Sequence, residues 1–254
     1  MSFFALKLVA LLSMLFDHVT YVWPVSWWVT DLFFPDAAQT PQLALTIQRL
    51  TDYIGRVAAP IFLYSIANGY RHTHNMKQYA LRLLVFACLA EWPYRLLFGM
   101  GGNIMFTLLL GLLTLWLFDR GNRLRPGLGW AASAAIILSA EVLALTEGKG
   151  RYLLLILAFH LTQRWSTGRK ALLFLFLVPA TRYALTWDIL TQAMAGTLTA
   201  RWLHLWAVNA LGPVLGVALV FHYNGKKGLT FPGDKYLWYL FYPVHLLLLG
   251  LLGG

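Results

Sequence analysis

Nine apolar runs, each closed by charged residues or by Gly and Pro, make up most of this chain and constrain it to a membrane bundle. They predict helices near 4–23, 53–70, 79–98, 104–119, 127–145, 151–165, 171–187, 203–222 and 236–252. Several are short, which predicts tilted, broken or partly re-entrant elements, and 188–202 reads as a candidate interfacial helix. With 59% of 254 residues hydrophobic and 12% charged, a soluble domain of this length has no interior large enough for its apolar surface. The expected fold is all-α: a polytopic integral membrane helical bundle of about nine transmembrane helices. It forms a single domain over 1–254, with no soluble domain, low-complexity tract or internal repeat.

The first run lacks a basic leader and a small-residue cleavage site, so it reads as a retained helix rather than a signal peptide. Cys88 is the one cysteine, which excludes an intramolecular disulfide. The net charge of +10 fits basic cytoplasmic loops better than nucleic-acid binding. Twelve basic residues fall in one alternating set of connections: Arg71, Lys77, Arg82; Arg120, Arg123, Arg125; Arg164, Arg169, Lys170; Lys226, Lys227, Lys235. Six fall in the other: Arg49, Arg95, Lys149, Arg151, Arg182 and Arg201. The positive-inside rule makes the first set cytoplasmic, so the N-terminus is inside and, after an odd number of spans, the C-terminus is outside. The connection 24–52 is then external, with Trp23, Trp27 and Trp28 as interfacial anchors.

Asp17 and His18 interrupt the first apolar run, LKLVALLSMLFDHVTYVW. Ionisable residues there are costly and mark a functional site by default. Lys7 precedes His18 by eleven residues, close to three helical turns, so the two share one helix face about 16 Å apart along the axis. Asp17 and His18 point about 100° apart, so contact between their side chains is not assured.

Other polar residues fall toward the same outer half of the membrane. They are Arg56 in GRVAAPIF, Glu91 in AEWPYR, Asn103 and Thr107 in NIMFTLLLGLL, and His245 in FYPVHLLLL. Pro60 predicts a kink in the second helix, and Pro93 a break just after Glu91. Each polar residue also has a structural reading: His18 and His245 as hydrogen-bonded core histidines, Arg56 paired with Glu91 or Asp52, Asn103 as a helix cap. Their common depth is what a purely structural account explains poorly. On the cytoplasmic side, RHTHNMK (71–77) and YNGKKG (223–228) place positive charge where a nucleotide or CoA phosphate could sit, with Gly225 and Gly228 admitting close approach of the backbone. Basic cytoplasmic loops are also expected from topology alone. There is no P-loop, dinucleotide fingerprint, zinc spacing or nucleophile elbow, and no metal is expected.

Taken in order, LKLVALLSMLFDHV, GRVAAPIFLYSIANGYRHTHN, LRLLVFACLAEWPY, NIMFTLLLGLL, YNGKKG and YLFYPVHLLLL resemble the TraX family, which is named for the F-plasmid pilin acetyltransferase. That family resembles the wider acyltransferase-3 membrane enzymes, whose first helix carries a basic residue, ten residues, then His, the spacing of Lys7 and His18 here. Many family members carry Asp-Tyr-Gly between the fifth and sixth helices; this chain reads TEGKGRY, with Glu147 the nearest acid. Segments 24–48 and 180–202 fall outside the resemblance.

The resemblance implies an acetyl-CoA-dependent acyltransferase of the bacterial inner (cytoplasmic) membrane. Acetyl-CoA is the co-substrate; a pilin-like peptide N-terminus or a surface glycan is the acceptor. Lys7, Arg71, Lys226 and Lys227 would hold the CoA phosphates. His18 would act as general base or acyl carrier, Asp17 or Glu91 would orient it, and Arg56 or Asn103 would stabilise the oxyanion. His245 and Thr107 would line the acceptor site. The competing readings are a transporter or flippase of a small polar or lipid-linked substrate, which would also suit broken helices, and a non-enzymatic assembly scaffold.

Overall fold

The structure, a computed structural model, describes residues 1–23, 51, 53–181 and 190–253, with isolated positions between 24 and 50 and backbone alone over 200–209. Among the described residues every regular element is a helix: α1 (Phe3–Val22), α2 (Ala58–His72), α3 (Met76–Phe98), α4 (Ile104–Leu124), α5 (Leu128–Val142), α6 (Lys149–Leu161), α7 (Thr167–Ala180), α8 (Ala200–Phe221) and α9 (Asp234–Leu252). Within the segment 188–202, residues 190–194 are helical, and 200–202 begin α8. Most of the 24–52 connection, including Trp27, Trp28, Arg49 and Asp52, lies outside the described residues, as does Arg182.

Local chemistry sets the helix ends. The Ser2 side chain caps α1 by accepting from the Ala5 amide at 3.3 Å, and Asn75 caps α3 by accepting from Gln78 at 2.9 Å. Gly99, with φ 69°, closes α3 in the left-handed conformation that glycine adopts without strain.

Two expectations at prolines are corrected. The second helix is not a kinked continuation from 53: the helical stretch 53–55 stops, residues 56–57 form a turn, and α2 starts at Ala58. Pro60 supplies the reason, because its ring clashes with the carbonyl four residues back, that of Arg56, and it cannot donate to it. Nor does the third helix break after Glu91: α3 runs through Pro93 to Phe98. One missing backbone bond is tolerated there, and Gly99 is the stronger stop.

Among the described residues three helices are long and apolar enough to cross a membrane: α1, α4 and α9. α5 and the 210–221 part of α8 are apolar but shorter. α2, α5, α6 and α7 have 13 to 15 residues; such helices reach only about 20–22 Å against a hydrocarbon core of about 30 Å. Among its described residues the molecule is an all-helical membrane protein, and these lengths do not by themselves establish nine full crossings.

The chain forms two compact units, Met1–Ile61 with Thr167–Gly228, and Phe62–Ser166 with Leu229–Gly254; the boundary falls inside α2. In the first unit α7 packs on α8. Gly212 and Gly216 of α8 meet the 53–60 segment so closely that a Cβ would come within 2.5 Å of the Tyr53 carbonyl oxygen and 2.4 Å of that of Val57. This is the small-residue contact by which membrane helices bring backbones together. In the second unit α4 packs on α3, α5 and α6, α5 on α6, and α3 on α9. Leu83, Leu112, Leu115, Ile156 and Leu246 form its fully buried core.

Candidate functional site

The sequence-predicted residues divide between the two units. Lys7, Asp17, His18, Arg56, Lys226 and Lys227 belong to the first; Arg71, Glu91, Asn103, Thr107 and His245 belong to the second.

In the first unit α1 is held against the 53–57 segment. The buried Ser13 hydroxyl donates to the Ile54 carbonyl and, at 3.1 Å, to that of Gly55. One turn further on, the Asp17 carboxyl group lies on Gly55: a Cβ added to that glycine would come within 1.9 Å of Asp17 Oδ1 and 2.5 Å of Asp17 Cβ. Arg56 follows in the turn, its Cβ 2.9 Å from where a Cβ on Gly212 would stand. Thr20 Oγ1 donates to the Asp17 carbonyl at 2.9 Å. Asp17 therefore takes the α1 face that meets Gly55, the residue before Arg56, and His18, half-buried, stands one residue on. Because even Asp17 Cβ is too close to be rotated away, Gly55→Ala should cost about 1–3 kcal/mol; a thermal melt of the detergent-solubilised variant checks this.

The opposite end of α1 is stitched to the basic loop. The Phe3 and Phe4 amides, orphans at a helix start, donate to the Lys226 and Lys227 carbonyls at 2.9 and 3.0 Å. The Asn224 amide donates to the Met1 carbonyl at 3.0 Å, and the Phe3 and Tyr223 rings stand 5.7 Å apart. Gly228, with φ 79°, packs on Ser2 and Phe4, where a Cβ would come within 2.4 Å of Ser2 Oγ. Its glycine is thus required by this junction, whereas Gly225 has open space around its α-carbon. Lys7, whose Nζ lies 5.2 Å from the Phe3 ring centre, shares this end of α1 with Lys226 and Lys227, which are exposed. Arg71 is exposed in the last turn of α2.

In the second unit Glu91 and Asn103 are brought together. Glu91 accepts from Arg95 Nε at 2.9 Å, the Gly102 amide at 3.0 Å, the Asn103 amide at 3.4 Å and Asn103 Nδ2 at 2.9 Å. Asn103, fully buried, gives its other amide hydrogen to the Ala87 carbonyl at 2.9 Å and caps α4 by accepting from Met105 at 3.0 Å. The capping role is therefore present, and both Asn103 side-chain hydrogens are committed. Thr107 is also buried and donates to the Glu147 carbonyl, while the Glu147 amide donates to the Gly102 carbonyl at 2.6 Å. His245 is buried on α9. Its Nδ1 lies 2.7 Å from the Phe241 carbonyl, which can only accept, so Nδ1 carries the proton and Nε2 is the acceptor nitrogen of the neutral ring.

A second imidazole–carboxylate pair was not singled out from the sequence. Asp119 of α4 accepts from the Tyr70 hydroxyl at 2.9 Å and lies 3.1 Å from His160 Nε2, joining α2, α4 and α6. The signal was present: His160 interrupts an apolar run just as His18 does. Tyr94 and Tyr242 were also missed, because nothing in an aromatic-rich chain marks which tyrosines will be buried beside acids.

A family model described as TraX protein matches residues 2–253. A relative from Dichelobacter nodosus, described as "Probable fimbrial assembly protein FimC, serogroup H1", is 29% identical over 265 residues, covering 98% of this chain and 94% of the relative. No solved structure matches the chain.

Proposed function

The chain belongs to the TraX protein family, and from that membership we propose that it is a multi-pass acetyltransferase of the bacterial inner membrane, N-terminus inside, that modifies a pilin-like polypeptide. Acetyl-CoA is the proposed donor. The fimbrial-assembly description of the relative supports a pilin-like acceptor over a surface glycan.

The observation that carries this reading is α1, a helix with Lys7 beside the Lys226–Lys227 loop near one end and Asp17–His18 toward the other. Phosphates held at the basic end would leave the pantetheine arm to cover the roughly 16 Å to His18. The acceptor amine attacks the thioester carbonyl, and His18 takes its proton. Arg56, in the turn beside Asp17, stabilises the oxyanion; Asn103 has its side-chain hydrogens engaged elsewhere. As the carbonyl re-forms, the C–S bond breaks and the CoA thiolate receives the proton from His18. The products are an acetamide and free CoA. Asp17 is the orienting carboxylate on this account, since Glu91 already accepts from four donors.

Lys7→Ala should raise the KM for acetyl-CoA about tenfold, the loss of one charge-assisted contact, and leave kcat unchanged. An unaltered KM would remove Lys7 from donor binding. The broader reading is tested by intact-mass analysis of pilin-like polypeptides from cells with and without this chain. The expected difference is one acetyl group on the acceptor; identical masses in both strains count against it.

A further inference from the structure

Arg82, early in α3, is a half-buried cation without a counter-charge: none of the ion pairs among the described residues includes it. Its guanidinium lies in an aromatic frame within the second unit, where α3 packs on α9. Its Cζ stands 5.7 Å from the centre of the Tyr79 ring. The Tyr239 hydroxyl oxygen of α9 accepts from the guanidinium and from the hydroxyl of buried Tyr79. Tyr239 in turn stacks on Phe86, the ring centres 5.3 Å apart. This frame orients the cation and does not neutralise it, since both tyrosines are uncharged partners. The oxygen of Tyr239 takes one of five donors, and the buried Arg82 Nε has no hydrogen-bond partner among the described residues. Ionisable residues in a membrane helix pair with something, and where the protein supplies no anion the partner comes from outside.

The surface below Arg82 says what kind of anion fits. Val85, Leu89 and Trp92 are 46%, 55% and 62% exposed. At 100° per residue all three lie within about 80° of Arg82 around α3. They form an open apolar stripe that runs about 15 Å from Arg82 along the helix axis, half of a hydrocarbon core of about 30 Å. A soluble phosphate would use the cation and leave this stripe idle. A molecule with an anionic head and a hydrocarbon chain uses both.

We infer that Arg82, held by Tyr239, binds the phosphate of an anionic membrane phospholipid whose acyl chain lies along Val85, Leu89 and Trp92. Guanidinium suits this task because its planar array of donors matches phosphate oxygens. The site is independent of whether the chain transfers acetyl groups.

The test is native mass spectrometry of the delipidated full-length protein in a non-ionic detergent, titrated with dioleoyl phosphatidylglycerol. Two fragments of that ligand serve as comparisons: dioleoylglycerol, which has the chains and no phosphate, and glycerol phosphate, which has the phosphate and no chains. Wild type should bind the phospholipid at least tenfold more tightly than either. Arg82→Gln should weaken phospholipid binding about tenfold, as expected for one charge-assisted contact, and leave dioleoylglycerol binding unchanged. Tyr239→Phe, which frees the guanidinium from its frame, should weaken it several-fold and serves as the second probe should Arg82→Gln fail to fold. Phospholipid binding that is unaltered in the folded variants overturns the site. Glycerol phosphate binding as tightly as the phospholipid would make this a site for soluble phosphate, and dioleoylglycerol doing so would leave only unspecific apolar contact; either result overturns the inference.

Discussion

Replacing His18 with alanine should lower acetyl transfer by about two to four orders of magnitude, the usual worth of a positioned general base, and leave the protein folded. Both halves of the expectation follow from position. His18 is half-buried on α1, while the contacts that hold α1 are made by others: Ser13 to Ile54 and Gly55, Asp17 on Gly55, and the 223–228 loop on residues 1–4. Melting temperature and helix content should therefore match the wild type as acetyl-transfer rate collapses. A folded His18→Ala protein with full activity would remove the proposed base. If His18 carries the acetyl group covalently instead, the same variant is equally dead, and a brief reaction of wild type with acetyl-CoA alone should leave label on the α1 peptide.

Glu91→Ala should have the largest effect on stability, about 2–4 kcal/mol, because it removes an ionised acceptor from several donors at once. The Gly102 and Asn103 amides and Asn103 Nδ2 all lose a partner, and Asn103 is fully buried. Unpaired donors there loosen the start of α4, the helix on which α3, α5 and α6 pack. Glu91→Gln keeps one acceptor oxygen and should lose less. Denaturation of the purified variants in detergent measures the difference. If Glu91→Gln melts like wild type yet has no activity, Glu91 has a role in the chemistry beyond holding this junction.

These two residues show how far the sequence could be read. A period of 3.6 was enough to put Lys7 and His18 on one face, and the apolar runs marked each of α1 to α9. The break at Arg56 was implicit in Pro60, four residues on, although it read as a kink. Asp17's neighbour was not legible: it is Gly55, reached only once α1 lies against the 53–57 segment. Glu91 could be recognised as a costly acid in an apolar helix, but its partners come from a turn that folds back on it, so an orienting carboxylate and a helix anchor look alike in one dimension. Asp119 and His160 meet across 41 residues, and no local pattern joins them. The span count is not fixed by the runs, since 13-residue and 20-residue helices can both be written as apolar runs.

The central claim, acetyl transfer from acetyl-CoA through α1, is tested most directly by reconstituting the protein in proteoliposomes with radiolabelled acetyl-CoA and an acceptor peptide bearing a free α-amine. The account predicts label on the peptide with wild type and none with His18→Ala. Unlabelled peptide with wild type, together with exchange of a polar substrate across the bilayer, would contradict it and identify a transporter.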